Sequence, residues 1–90
     1  MAVVVRSVRI VNPLGLHARP AAAFVRIAGR QACQIFVRKD DLEVNGKSIM
    51  GMMMLAAEAG SELVIRAEGE GAEQAVEDLV ALVQAGFGES

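Results

Sequence analysis

The 90-residue sequence contains no tryptophan and no tyrosine, and it has only three phenylalanines. Hydrophobic residues nevertheless make up 53% of the chain, so we expect a core of valine, isoleucine, leucine, methionine and alanine. Aromatic side chains are the usual platforms on which proteins stack bases, and the formal net charge is −2. The composition therefore argues against a nucleic-acid partner.

Cysteine and histidine are equally scarce, with one residue of each. The single cysteine, Cys33, cannot form an internal disulfide, which fits a reducing compartment such as the cytoplasm. One histidine and one cysteine, separated by a predicted helix, do not supply a set of metal ligands. We therefore expect neither a metal nor another cofactor.

Long apolar runs are missing as well. No stretch approaches the roughly 20 residues that a membrane-spanning helix needs, and residues 1–6 lack the charged and apolar regions of a secretory signal. These absences predict a cytoplasmic protein that does not insert into a membrane.

The hydrophobic periodicity predicts four strands and three helices in the order β-α-β-β-α-β-α. A chain of 90 residues is long enough for one core, and we expect a single domain over residues 1–90. The predicted strands cover residues 3–11, 33–38, 42–44 and 63–68. The predicted helices cover residues 18–28, 49–56 and 72–85, with Gly29 as the cap of the first and residues 87–90 as a short tail.

Apolar residues that alternate along the strands indicate one buried face of the sheet. They are Val8 and Ile10 in the first strand, Cys33, Ile35 and Val37 in the second, and Leu63, Ile65 and Ala67 in the fourth. The last helix carries an apolar stripe of Val76, Leu79, Val80 and Val83. This pattern predicts an α+β sandwich with helices on one face of the sheet. A ferredoxin-like order of elements fits it equally well, so the topology stays open.

His17 lies between a turn of Asn, Pro and Gly and an alanine-rich helical run. We expect it at the N-cap of the first helix, where Pro20 in the first turn loses no hydrogen bond. The amides of Ala18 and Arg19 would then be free to hold an anion, aided by the helix dipole and the Arg19 guanidinium. An imidazole beside such a place can accept a phosphoryl group.

Blander interpretations of the same residues stay open. A lone histidine is more often a surface or core residue than a catalytic one. A Ser/His/Asp hydrolase is disfavoured, because the chain has no nucleophile elbow. Arg19, Arg26 and Arg30 share one helical stripe, which is either a solvated face or a basic rim for an acidic partner. Ser48 is predicted to cap the second helix.

Two segments resemble the signatures of the HPr family, the histidine-containing phosphocarriers of the bacterial phosphotransferase system. One is Leu14-Gly15-Leu16-His17-Ala18-Arg19-Pro20-Ala21-Ala22, and the other is Gly46-Lys47-Ser48-Ile49-Met50. They stand in the order and at the separation typical of the family. The run 49–55 and the ending 82–87 are more similar to its nitrogen-related NPr branch.

The resemblance implies an open-faced sandwich of four antiparallel strands with three helices on one side. His17 would accept a phosphoryl group from enzyme I and pass it to an IIA-type protein, with Arg19 and the Ala18 amide binding the phosphate. Ser48 would be the target of an HPr kinase/phosphorylase. The protein would be a monomeric carrier and not an enzyme with its own turnover.

The resemblance also favours a partner interface made of Ala22, Arg26, Ile49, Met50 and Met53. Helical spacing after Ser48 places Met52 and Leu55 inward and Ile49, Met50 and Met53 outward. A methionine-rich run is nevertheless more often core. Two other classes of function stay open. One is a regulatory module that binds through this surface without phosphoryl turnover, and the other is a ferredoxin-like domain for a small ligand.

Overall fold

The computed structural model describes residues 2–89 and contains one four-stranded sheet. The strands are β1 (Val3–Arg9), β2 (Gln34–Lys39), β3 (Leu42–Asn45) and β4 (Glu62–Glu68). Their order in the sheet is β1-β4-β2-β3, and all three neighbouring pairs are antiparallel. The topology that the pattern left open is thereby settled as an antiparallel sheet with β4 and β2 in the centre.

Three helices cover one face of this sheet. They are α1 (Ala18–Gly29), α2 (Ile49–Met54) and α3 (Ala72–Gln84), and a single 3₁₀ turn (Gly86–Gly88) follows α3. α1 and α2 pack against each other, and α3 packs across β1 and β4. The predicted α+β open-faced sandwich is confirmed.

The buried face of the sheet carries the apolar residues that alternation identifies. The alternating residues of the predicted strands and the predicted stripe of α3 are all buried: Val8, Ile10, Cys33, Ile35, Val37, Leu63, Ile65, Ala67, Val76, Leu79, Val80 and Val83. Phe24 of α1 is also fully buried among them. The core is thus built almost without aromatic residues.

Several predicted boundaries were wrong by one or two residues. β1 ends at Arg9 and not at residue 11, because its regular pairing ends where Arg9 faces the first residue of β4. α2 ends at Met54 and not at residue 56, since Ala56 adopts a left-handed φ of 48° that no right-handed helix contains. Gly29 is the last residue of α1, and Arg30 is its cap.

Candidate functional site

His17 is the N-cap residue of α1, as predicted. Its backbone is extended, with φ −79° and ψ −172°, and its carbonyl accepts the first helical hydrogen bond from the Ala21 amide at 3.0 Å. Its side chain does not cap the helix and is 37% exposed. The imidazole is therefore available at the surface while its backbone is fixed by the helix.

The loop before α1 packs against the segment that follows α2 and is hydrogen-bonded to it. The Leu16 amide donates to the Ala57 carbonyl at 2.8 Å, and Leu16 itself is buried. Gly15 has φ +69°, and a Cβ at this position would lie 2.5 Å from the Ala57 oxygen. Only glycine fits there, and this close approach fixes where His17 enters the helix.

Ala18 and Arg19 occupy the first turn of α1 and are both exposed. An α-helix leaves its first amides without an internal partner, so this turn presents N–H groups and the positive end of the dipole. Arg26 and Arg30 are exposed further along the helix, while Ala22 is half-buried. The structure thus brings His17, Ala18 and Arg19 together at one end of α1 and places Arg26 and Arg30 towards the other.

Glu89 is a site residue that the sequence did not indicate. Its carboxylate oxygens lie 2.9 Å and 3.2 Å from Nε2 of His17. Its side chain is 19% exposed, and it lines a shallow cavity together with Leu14, Arg19 and Phe87. The predicted tail, of which Ser90 lies outside the described residues, therefore returns to the histidine.

Two features hold Glu89 in this position, one in the tail and one in the loop before α1. Gly86, Phe87 and Gly88 all have positive φ values, which turns the chain sharply after α3, and the Phe87 ring is buried. Asn12, itself buried, donates from Nδ2 to Oε1 of Glu89 at 2.9 Å and to the Gly15 carbonyl at 2.7 Å. A large apolar residue between two glycines near position 87 was the signal that could have indicated a docked tail.

Glu89 is ionised at neutral pH. Partial burial alone would raise the pKa of this carboxyl, but hydrogen bonds with His17 and Asn12 and attraction to His17 and Arg19 lower the pKa below its ordinary value of 4.5. The site therefore contains a carboxylate on one side of the imidazole and a guanidinium nearby.

Ser48 caps α2, as predicted. Its Oγ accepts a hydrogen bond from the Gly51 amide at 3.0 Å. Met52 and Leu55 are buried, while Ile49, Met50 and Met53 are exposed, as helical spacing predicted. Met54 and Leu14 are exposed as well, and Leu14 reaches 78%. The exposed apolar residues of α2 thus include Met54 in addition to the predicted set.

A second cavity has His17 in its wall. His17, Leu14 and Leu16 line it from the loop side, and residues 56–59 line it from the segment after α2. Within residues 2–89, no group of three or more His, Cys, Asp and Glu side chains could hold a metal ion. No helix in that part of the chain is long and apolar enough to cross a membrane.

Comparison with known proteins gives a consistent result. The family model described as "PTS HPr component phosphorylation site" matches residues 4–85. The chain is 49% identical over 83 residues to the phosphocarrier protein HPr of Pseudomonas aeruginosa, which covers 91% of this chain and 92% of that protein. It is 50% identical over 70 residues to the HPr-like protein Crh of Bacillus subtilis, covering 78% and 82% of the two chains.

The fold agrees with these similarities. The structure superposes on the crystal structure of HPr-C-His from Thermoanaerobacter tengcongensis with a TM-score of 0.90 at 46% identity, and the superposition covers 100% of this chain and 99% of that one. The match includes the loop, α1 and the Ser48 segment described above. This protein belongs to the HPr family, the phosphocarriers of the phosphotransferase system.

Proposed function

We propose that this protein accepts a phosphoryl group on His17 from phosphorylated enzyme I and passes it to an IIA-type protein. The observation that carries the proposal is the open N-terminus of α1, where an exposed imidazole stands beside first-turn amides and Arg19. In phosphoryl transfer the protein mainly positions the groups and stabilises charge. A histidine with one arginine and two amides is suited to that task.

The same arrangement suits a carrier and not an enzyme. The amides of Ala18 and Arg19 and the Arg19 guanidinium can bind the phosphoryl oxygens at an exposed surface, where such contacts are moderate in strength. A deeply buried, multiply charged pocket would hold the group too tightly for it to be passed on. The protein then ends each cycle of acceptance and donation unchanged, with no turnover of its own.

Docking is assigned to the surface formed by Ile49, Met50 and Met53 together with Ala22 and Arg26. Met50 is 77% exposed, and methionine adapts to more than one partner surface. Met50→Glu is expected to weaken binding to enzyme I without unfolding the domain. Val5→Glu is the matched control, because Val5 is an exposed apolar residue of β1 outside this surface. Equal binding by the two variants would remove Met50 from the interface.

Ser48 is assigned a regulatory role wherever an HPr kinase/phosphorylase is present. A phosphate there would add about −1.5 to −2 charges at pH 7 beside Ile49 and Met50. Because Ser48 lies at the positive end of α2, the added charge would not unfold that helix. It would act by hindering the approach of an acidic or apolar partner surface.

The experiment that tests the function is a relay. Enzyme I, phosphoenolpyruvate, this protein and an IIA-type protein are mixed, and the phosphorylation of the IIA-type protein is followed. We expect wild type to support the relay and His17→Ala to support none, with the two proteins equally folded. A wild-type protein that binds enzyme I but accepts no phosphoryl group would favour the regulatory-module alternative.

Three further assignments accompany the proposal. We place the protein in the cytoplasm, where enzyme I and a reducing environment suit the single buried Cys33. We predict a monomer, measurable by light scattering. The NPr branch, suggested by the runs 49–55 and 82–87, stays a prediction about which IIA-type protein is used.

A further inference from the structure

Helix α2 holds four of the five methionines of the chain within six residues. Met50, Met53 and Met54 are 77%, 45% and 64% exposed, whereas Met52 is 0% exposed and belongs to the core. Residues at positions i, i+3 and i+4 lie on the same face of a helix. The three exposed thioethers therefore share one face of α2, which we call the thioether face.

The thioether face is free of polar side chains. Residues 49–54 are isoleucine, glycine and methionine only. A polar atom added to one of these methionines would thus be the first polar side-chain atom of α2. Removing such an atom from water without a hydrogen-bond partner costs free energy, so docking through this face would be sensitive to the addition.

Methionine acquires a polar atom when a peroxide oxidises its thioether to the sulfoxide, and accessible sulfur atoms react most readily. The thiol of Cys33, the single cysteine of the chain, is 2% exposed and is protected by the core. Within residues 2–89, the sulfur atoms that a dissolved peroxide can reach are therefore those of the thioether face.

We propose that Met50, Met53 and Met54 form an oxidation-sensitive switch of docking. A hydroperoxide converts their thioethers to sulfoxides, and the oxidised face binds enzyme I more weakly. The inference deepens the proposed function and rests on its assignment of docking to α2. It adds Met54 to the docking surface and names the class of reactant that modifies this surface.

Each modification is a two-electron oxidation of one sulfur atom. A lone pair of the thioether attacks one oxygen of hydrogen peroxide and the O–O bond breaks. The attacked oxygen stays on sulfur, and the other oxygen leaves with both hydrogens as water. Methionine sulfoxide reductases reverse the change: a dithiol supplies two electrons and becomes a disulfide, and the sulfoxide oxygen leaves as water.

The fold does not depend on the exposed thioethers. The start of α2 is held by the hydrogen bond from the Gly51 amide to Ser48, and the helix is anchored in the core by Met52 and Leu55. Sulfoxides on the opposite face should leave these contacts intact. His17 lies outside α2, so oxidation should change docking and not the chemistry at the imidazole.

The first measurement locates the oxidised residues. The protein is treated with increasing hydrogen peroxide, and fragment masses are recorded, with Met1, which lies outside the described residues, on a separate fragment. We expect Met50 and Met54 to react first and Met53 next, with Met52 and Cys33 unmodified and the melting temperature near that of untreated protein. Oxidation of Met52 as fast as Met50 would overturn the proposal.

The second measurement follows docking after the peroxide has been removed. Calorimetry should show that affinity for enzyme I falls roughly tenfold or more, the scale of a polar group desolvated without a partner. In transfer kinetics the KM for this protein should rise while kcat stays unchanged. Methionine sulfoxide reductases should restore both the affinity and the KM.

Two variants separate the thioether face from the buried methionine. One combines Met50→Leu, Met53→Leu and Met54→Leu, and the other is Met52→Leu; leucine nearly conserves the volume of methionine. Each variant is compared with itself before and after peroxide, so that its starting affinity does not enter the result. Wild type and Met52→Leu should lose affinity on treatment, and the triple variant should keep it.

The outcomes separate the switch from the carrier function. Unchanged affinity in oxidised wild type, or an equal loss in the triple variant, would overturn the switch even if His17 carries phosphate normally. If oxidation weakens docking while untreated protein accepts no phosphoryl group, the switch stands and the carrier function fails. Untreated protein that does not bind enzyme I would refute the docking assignment and the switch together.

Discussion

The two helices beside the site begin in opposite ways. Ser48 closes the N-terminus of α2 by accepting a hydrogen bond from the Gly51 amide, three residues into the helix. At the equivalent place of α1 the residue is Pro20, which has no amide hydrogen, and the His17 side chain does not cap. The Ser48 side chain thus satisfies an amide at the start of α2. The His17 side chain does not cap α1, so the first amides of α1 stay available to an incoming group.

This difference explains how two short segments of similar geometry can have different roles. A capped start gains about 1 kcal/mol of stability and offers little to an anion. An uncapped start gives up that stability but keeps its amides and the dipole available. His17, which turns towards Glu89 and not back onto the helix, is thereby free for chemistry.

The largest effect should come from damaging the loop that opens α1. Gly15→Ala is expected to reduce the free energy of unfolding by roughly 2–3 kcal/mol, because it combines a left-handed φ with a clash against a carbonyl oxygen. Urea denaturation measures this loss. Gly60→Ala is the control, since Gly60 also has a positive φ but an added Cβ meets nothing within 4 Å. Equal losses in the two variants would show that the contact with Ala57 is unimportant.

Removing the cation at the open start should slow transfer without unfolding the protein. Arg19→Ala is expected to lower the rate of transfer from enzyme I by roughly tenfold or more, because one charge-stabilising donor is lost from the reacting site. Its melting temperature should stay near that of wild type. Arg30→Ala removes an equally exposed arginine at the far end of α1 and should transfer normally. If both variants slow transfer alike, the arginines act as a general basic surface.

At the capped start of α2, removing the side chain should reduce stability and leave the rate of transfer nearly unchanged. Ser48→Ala is expected to lose about 1 kcal/mol of stability and to transfer at nearly the wild-type rate. Ser48→Asp should keep the cap and the stability but slow transfer by weakening docking. Both are measured by urea denaturation and by transfer kinetics at low salt, where charge effects are least screened. Wild-type transfer by Ser48→Asp would leave Ser48 as a cap only.

The smallest expected effect is a change in the pKa of Glu89 when His17 is replaced. The pKa of Glu89 is lowered in the fold, so its ionised form contributes stability above the ordinary pKa of 4.5, and this contribution is lost as the pH falls through the lowered value. Carbon-13 NMR of the Glu89 carboxyl should show a midpoint below 4.5 in wild type and a higher midpoint in His17→Ala. A midpoint that does not move would show that His17 does not interact with Glu89 in solution.

Most of the fold followed from periodicity. Alternation identified the buried residues of three strands, and the spacing after Ser48 separated buried Met52 from exposed Met50. These are local patterns with a fixed repeat, so a sequence displays them directly. The boundary at residue 56 failed because nothing in an alanine indicates a left-handed backbone.

The site was predictable only in part. The N-cap position of His17 could be predicted from the loop before it and from Pro20, which are close to it in the sequence. Glu89 could not be identified, because it contacts His17 across a separation of 72 residues in the chain. Asn12 was predicted only as a turn residue. Contacts of this kind depend on where the fold carries the tail, and no local pattern records that.

The most direct test is to locate the phosphoryl group after reaction with enzyme I and phosphoenolpyruvate. Intact mass, chemical stability and fragment mass together identify the modified residue. A single acid-labile, base-stable group on His17 is the expected result, with Ser48 unmodified. A group on Ser48, or no group on a folded protein that binds enzyme I, would contradict the claim that the open start of α1 is the phosphoryl site.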